Sequence, residues 1–218
     1  MQHRAERCLD AVALQCHIAA MSKISNVCVY CGSSPGNNEH FMEAATDFGK
    51  ILAENKINLV YGGGSFGLMG ALATSVLDHG GTVTGIIPEA LVARERALKR
   101  VQEMVVTRDM HERKRLMFER SDAFVALPGG IGTLEEAIEL LSWRRLDLHN
   151  KPIVFFNPDG FWDHLFAFFH QAIAMQLAPH ALAGAWRTVT RVEDLLPAIR
   201  EMAAAEHSPI PKLMPRVT

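Results

Sequence analysis

The stretch AFVALPGGIGTLEEAIELLSW, residues 123–143, decides the fold. Residues 123–127 form a short, wholly apolar run of the kind presented by a strand buried on both faces. Pro128-Gly129-Gly130 interrupts it, and residues 137–143 resume with the apolar content of a helix packed on a core. Strand, glycine turn and helix in that order are half of a βαβ unit, and the same alternation recurs on either side. Strands are expected at 26–31, 58–61, 83–87, 104–106, 123–127, 153–156 and 188–190, with helices in the gaps. The expected class is therefore α/β, a doubly wound, mostly parallel sheet with helices on both faces.

Composition narrows what such a fold could do. Of 218 residues 49% are apolar and 21% charged, as in an ordinary globular domain, here expected to span 23–202. Residues 1–22 read as an extension, and 203–218, with Pro209, Pro211 and Pro215, as a flexible tail. A formal net charge of −2 argues against a nucleic-acid polymer as partner, because neutralising many phosphates needs clustered Lys and Arg. No run approaches the ~20 apolar residues of a membrane span. Cys8, Cys16, Cys28 and Cys31 make no metal-ligand spacing, so no metal is expected, and reduced thiols fit a cytoplasmic protein.

Three glycine-rich loops follow expected strands, at 32–36, 62–67 and 128–133. Loops at strand C-termini share one edge of a parallel sheet, and ligands bind there. The loop Gly129-Gly130-Ile131-Gly132-Thr133 opens a helix whose free N–H groups and dipole favour an anion, with the Thr133 hydroxyl as a further donor. It lacks the lysine of a P-loop, which favours a monophosphate. Thr133-Leu134-Glu135-Glu136 reads equally as a capping box, with Glu136 turned back to the backbone. Residues 62–67 satisfy G-x-G-x-x-G, with Glu89 where a dinucleotide fold would place its ribose-binding acid; tight helix packing explains the same glycines. Met110-His111-Glu112-Arg113-Lys114-Arg115-Leu116-Met117 reads either as a solvated charged face or, capped by Asp109, as a helix bringing a guanidinium to the anion.

Gly62-Gly63-Gly64 with Gly67-Leu68-Met69-Gly70, then Met110-His111-Glu112-Arg113-Lys114, then Pro128-Gly129-Gly130-Ile131-Gly132-Thr133-Leu134-Glu135-Glu136, in this order and spacing, resemble the LONELY GUY family of cytokinin riboside 5′-monophosphate phosphoribohydrolases. The likeness runs from about Lys23 to Arg200 and includes Leu148-His149-Asn150-Lys151-Pro152. It implies a Rossmann-like fold, a homodimer or higher homo-oligomer, and no cofactor. The implied reaction is hydrolysis of the N-glycosidic bond of cytokinin riboside 5′-monophosphates or AMP, releasing base and ribose 5-phosphate. A general purine or pyrimidine monophosphate nucleosidase and a non-catalytic nucleotide-binding module are the alternatives. Carried over, the catalytic pair falls on Arg113 and Glu136, and substrate binding on Ser33, Gly63, Glu95, Met110, Lys114, Gly129, Gly130, Ile131, Gly132, Thr133 and Glu135. Members of the family were long labelled lysine decarboxylases. A pyridoxal enzyme needs a Schiff-base lysine, and only Lys114 falls near the expected pocket, among Arg113 and Arg115.

Overall fold

A computed structural model describes residues 24–206. Seven strands, β1 (Asn26–Tyr30), β2 (Asn58–Tyr61), β3 (Val83–Pro88), β4 (Glu103–Thr107), β5 (Ala123–Ala126), β6 (Ile153–Phe156) and β7 (Arg187–Val189), form one parallel sheet in the order β4-β3-β2-β1-β5-β6-β7. The helices are α1 (Glu39–Glu54), α2 (Gly67–Asp78), the single turn α3 (Glu89–Val92), α4 (Met110–Glu119), α5 (Ile131–Arg145), α6 (Asp163–Ala174) and α7 (Leu195–Glu206).

The two-residue period of the strands divides the core. On β1, Val27 and Val29 face one layer, where Phe48 and Leu52 of α1, Leu72 of α2 and Ile199 of α7 cover them. Cys28 and Tyr30 face the other, under Met117 of α4, Leu140 of α5 and Phe166 of α6. Every residue from Val27 to Tyr30 is thus buried, which is why the strands read as unbroken apolar runs. The strand order reverses at β1 and β5, whose following helices leave to opposite faces. A crevice opens there at the strands' C-terminal edge, where open α/β sheets bind ligands.

The strands match expectation to within a residue at each end, and two boundaries differ by more. Helix α5 begins at Ile131, six residues before the expected 137, with Gly130 as its N-cap. The flexible tail expected from 203 begins inside α7, which continues through Glu206: Ala203, Ala204 and Ala205 are strong helix formers, and Ala203 is buried in the core. The extension 1–22 and the remainder of the tail lie outside the described residues. Among the described residues no helix is long and apolar enough to cross a membrane.

Candidate active site

The sheet brings the loops after β1 and β5 together, and the Gly32 N–H donates to the Pro128 carbonyl at 3.1 Å. Between this seam and helices α4 and α5 lies a cavity of about 250 Å³. Cys31, Gly32, Ser33, Met69, Glu95, Arg113, Gly130, Ile131, Gly132, Thr133 and Glu136 line it. On the far side of the seam a cavity of about 310 Å³, bounded by Phe41, Leu68 and Phe161, shares Gly32, Ser33 and Gly130 with the first.

Helix α5 shapes the floor. Its N-cap Gly130 has no side chain to offer, and the first backbone bond, Leu134 N–H to the Gly130 carbonyl, leaves the amides of Ile131, Gly132 and Thr133 without helical acceptors. They point into the cavity's rim with the positive end of the dipole. Thr133 lies at the third helical position and is buried, so the capping box that the sequence offered as the other reading does not form: the residue at the cap is Gly130, and Glu136 is free for another role. Gly129 must be glycine because a Cβ there would enter the Thr133 side chain.

Helix α4 supplies the cation. Asp109 caps it as expected, its carboxylate accepting from the Glu112 N–H at 2.8 Å. The charged segment is not the solvated face its composition allows. His111 and Arg115 are exposed, but Arg113 turns inward and only 6% of it is accessible. Its Nε donates to the Ile86 carbonyl at 3.1 Å, Nη2 to the Gly62 carbonyl at 3.3 Å, and Nη1 to the Met110 sulfur at 3.7 Å. Those bonds fix the guanidinium plane and leave Nη1 3.8 Å from Glu136 Oε1. Gly62 is part of the same device, since a Cβ there would collide with Nη2. The 62–67 glycines therefore serve close packing: Gly67 lies on the backbone of Ser33 and Ser34, and Gly70 on that of Ser65. Glu89 is exposed at the start of α3.

Glu136, 9% accessible, is held between desolvation and attraction. Burial pushes its carboxyl up to about 7, against the opposing pull of Arg113, with the negative charges of Glu135 and Glu95 adding to the rise. Such a carboxylate accepts a proton readily at neutral pH. Burial also pushes the Cys31 thiol well up, which keeps it unreactive. Glu95 Oε2 is buried with no hydrogen-bond partner among the described residues, so the cavity contains an acceptor waiting for a donor.

The cavity thus unites Arg113, Glu136, Ser33, Glu95, Gly130, Ile131, Gly132 and Thr133. It does not include five expected members. Gly129 lines the neighbouring cavity. Gly63 packs on Ile87 and Met104 instead. Met110 reaches the site only through Arg113. Lys114 Nζ turns to the carboxylates of Glu135 and Glu139, which takes both Lys114 and Glu135 out of the lining. Cys31, Gly32 and Met69 were missed. Their signal was available, Cys31-Gly32 lying directly before Ser33 and Met69 in the Gly67–Gly70 segment, but only the strand order makes them neighbours.

A family model described as "possible lysine decarboxylase" matches residues 69–199. The chain is 48% identical over 158 residues to the rice (Oryza sativa subsp. japonica) protein named "Probable cytokinin riboside 5′-monophosphate phosphoribohydrolase LOGL9", covering 72% of this chain and 70% of the relative. It is 40% identical over 190 residues to cytokinin riboside 5′-monophosphate phosphoribohydrolase LOG1 of Arabidopsis thaliana, covering 84% and 89%. The Moco carrier protein of Chlamydomonas reinhardtii superposes with a TM-score of 0.63 at 21% identity, over 84% of this chain and 99% of that one, a likeness of fold. Among the described residues no lysine lines the cavities at the seam.

Proposed function

This chain belongs to the LONELY GUY family of cytokinin riboside 5′-monophosphate phosphoribohydrolases, and from that premise we propose that the Arg113–Glu136 cavity is where it cleaves its nucleotides. The reaction is hydrolysis of a nucleoside 5′-monophosphate to free base and ribose 5-phosphate. The observation that carries the assignment to this cavity is a nearly buried carboxylate, 3.8 Å from a fixed guanidinium, about a turn and a half into a helix whose start is uncapped.

The uncapped amides of Ile131, Gly132 and Thr133, with the Thr133 and Ser33 hydroxyls, hold the 5′-phosphate. That anchor lets remote binding energy place the sugar over Glu136. Breaking the C1′–N bond sends the electron pair to the base and leaves positive charge on the ribose ring, as in glycoside hydrolysis. Ionised Glu136 stabilises that cation and accepts a proton from the water that bonds to C1′. The departing base takes up a proton, closing the balance. Arg113 keeps Glu136 ionised and aimed. With Nε and Nη2 committed to backbone carbonyls, it is a fixed clamp and not a mobile phosphate hook. Glu95 supplies the acceptor for a ribose hydroxyl, satisfying its unpartnered oxygen.

AMP is a second substrate on this reading, because the contacts named above address only ribose and phosphate. The protein works in the cytoplasm as a homodimer or larger assembly. Exposed Ile131, Leu146 and Leu148 along and just beyond α5 favour a covered face. The test is incubation of pure protein with isopentenyladenosine 5′-monophosphate, AMP and the corresponding nucleosides, followed by chromatography. Base appears from the monophosphates and not from the nucleosides. Binding without release of base would instead mark a nucleotide sensor.

A further inference from the structure

Helices α4 and α5 run side by side on one face of the sheet, and their contacts fall in a ladder. Inside is Arg113 to Glu136. One residue along, on the outer side, Lys114 Nζ meets Glu135 and lies 3.0 Å from Glu139 Oε1. One turn lower the rings of Phe118 and Trp143 meet edge to face at 5.1 Å. The lysine side chain is only 11% accessible and that of Glu139 27%, so this ion pair is partly shielded from solvent.

We propose that Glu139 is a positioning residue for the reaction: through Lys114 it locks α4 against α5 in the register that holds Arg113 at Glu136. This rests on the assignment of catalysis to the Arg113–Glu136 cavity. The argument is one of adjacency. Lys114 follows Arg113 on α4, and Glu139 stands three residues, nearly one turn, beyond Glu136 on α5, so slippage at the outer pair is passed directly to the inner one. The inner contact, at 3.8 Å, is longer than a hydrogen bond and cannot hold the register itself. Of the two carboxylates on Lys114, Glu135 is the nearer, at 2.5 Å, but is half exposed, whereas Glu139 is the less exposed and its bond the less open to competition from water. Sequence resemblance placed Lys114 among the nucleotide-binding residues; the bond to Glu139 gives its charge a different duty.

The test is a double-mutant cycle of Glu139→Gln, Lys114→Met and the pair, read by kcat and KM for a nucleoside monophosphate and by melting temperature. A second readout needs no turnover: the Arg113 Nε–H, buried on the Ile86 carbonyl, gives a solvent-protected NMR signal that reports the register of α4. Glu139→Gln is expected to lower kcat about ten-fold (~1.4 kcal/mol) with KM within two-fold, to shift the Arg113 signal and speed its exchange, and to have no further effect in the Lys114→Met background. Wild-type kcat and an unmoved Arg113 signal in Glu139→Gln would overturn the proposal, as would full additivity with Lys114→Met. An Arg113 signal that moves while kcat stays unchanged would leave the lock standing and contradict the assignment of catalysis to this pair.

Discussion

At the residue scale the chemistry turns on a carboxyl whose environment opposes its charge. Because burial raises the Glu136 carboxyl to about 7, the fraction ionised, and with it kcat/KM, should fall ten-fold per pH unit below that value. A pH–rate profile checks this, and an acid limb near the ordinary carboxylate value would show Glu136 to be solvated in the working enzyme. The same shift makes a stability prediction. A carboxyl whose folded value lies above its unfolded one contributes stability at pH 4 and below, and that contribution is lost as pH rises through about 7. Glu136→Gln lacks the loss, so its melting temperature relative to wild type should climb by several degrees between pH 5 and pH 8 in calorimetry. Arg113→Lys should fail despite keeping the charge, because an ammonium cannot reach the Ile86 and Gly62 carbonyls and Glu136 at once. Turnover should drop at least 100-fold and melting temperature should fall too, since two buried carbonyls lose their donor.

At the element scale the decisive feature is where α5 begins. Dense apolar content marks the helix only from Ala137, because Gly132 and Thr133 make the turn before it read as a continuation of the glycine loop, although Ile131 and Leu134 already stand three residues apart. The helix in fact starts at Ile131, so the glycine loop is itself the first turn and its amides are the anion seat. Sequence pattern also left Arg113 undecided between a solvated face and an inward cation. Its partners are Ile86 on β3 and Gly62 in the loop after β2, and no local pattern encodes that meeting. Gly129→Ala tests the seat. The added methyl would drive Thr133 from its place, at a cost of about 1–3 kcal/mol. Titration calorimetry should show ribose 5-phosphate binding weakened at least ten-fold while far-ultraviolet circular dichroism stays that of the wild type; unchanged affinity would put the phosphate elsewhere.

At the scale of the whole molecule, the parallel sheet was legible because strands buried on both faces leave unmistakable apolar runs, and the three glycine loops were placed on one edge by topology alone. Which loops touch was not legible. That depends on β5 inserting beside β1, which makes neighbours of Gly32 and Pro128 and divides the crevice into two cavities. The most direct measurement on the whole enzyme separates holding the nucleotide from breaking it: substrate affinity and single-turnover base release for Glu136→Gln beside wild type. The account predicts affinity within a few-fold and release slowed by about 10²–10³, as for loss of one preorganised electrostatic contact. Release at the wild-type rate from a variant that binds normally would contradict it.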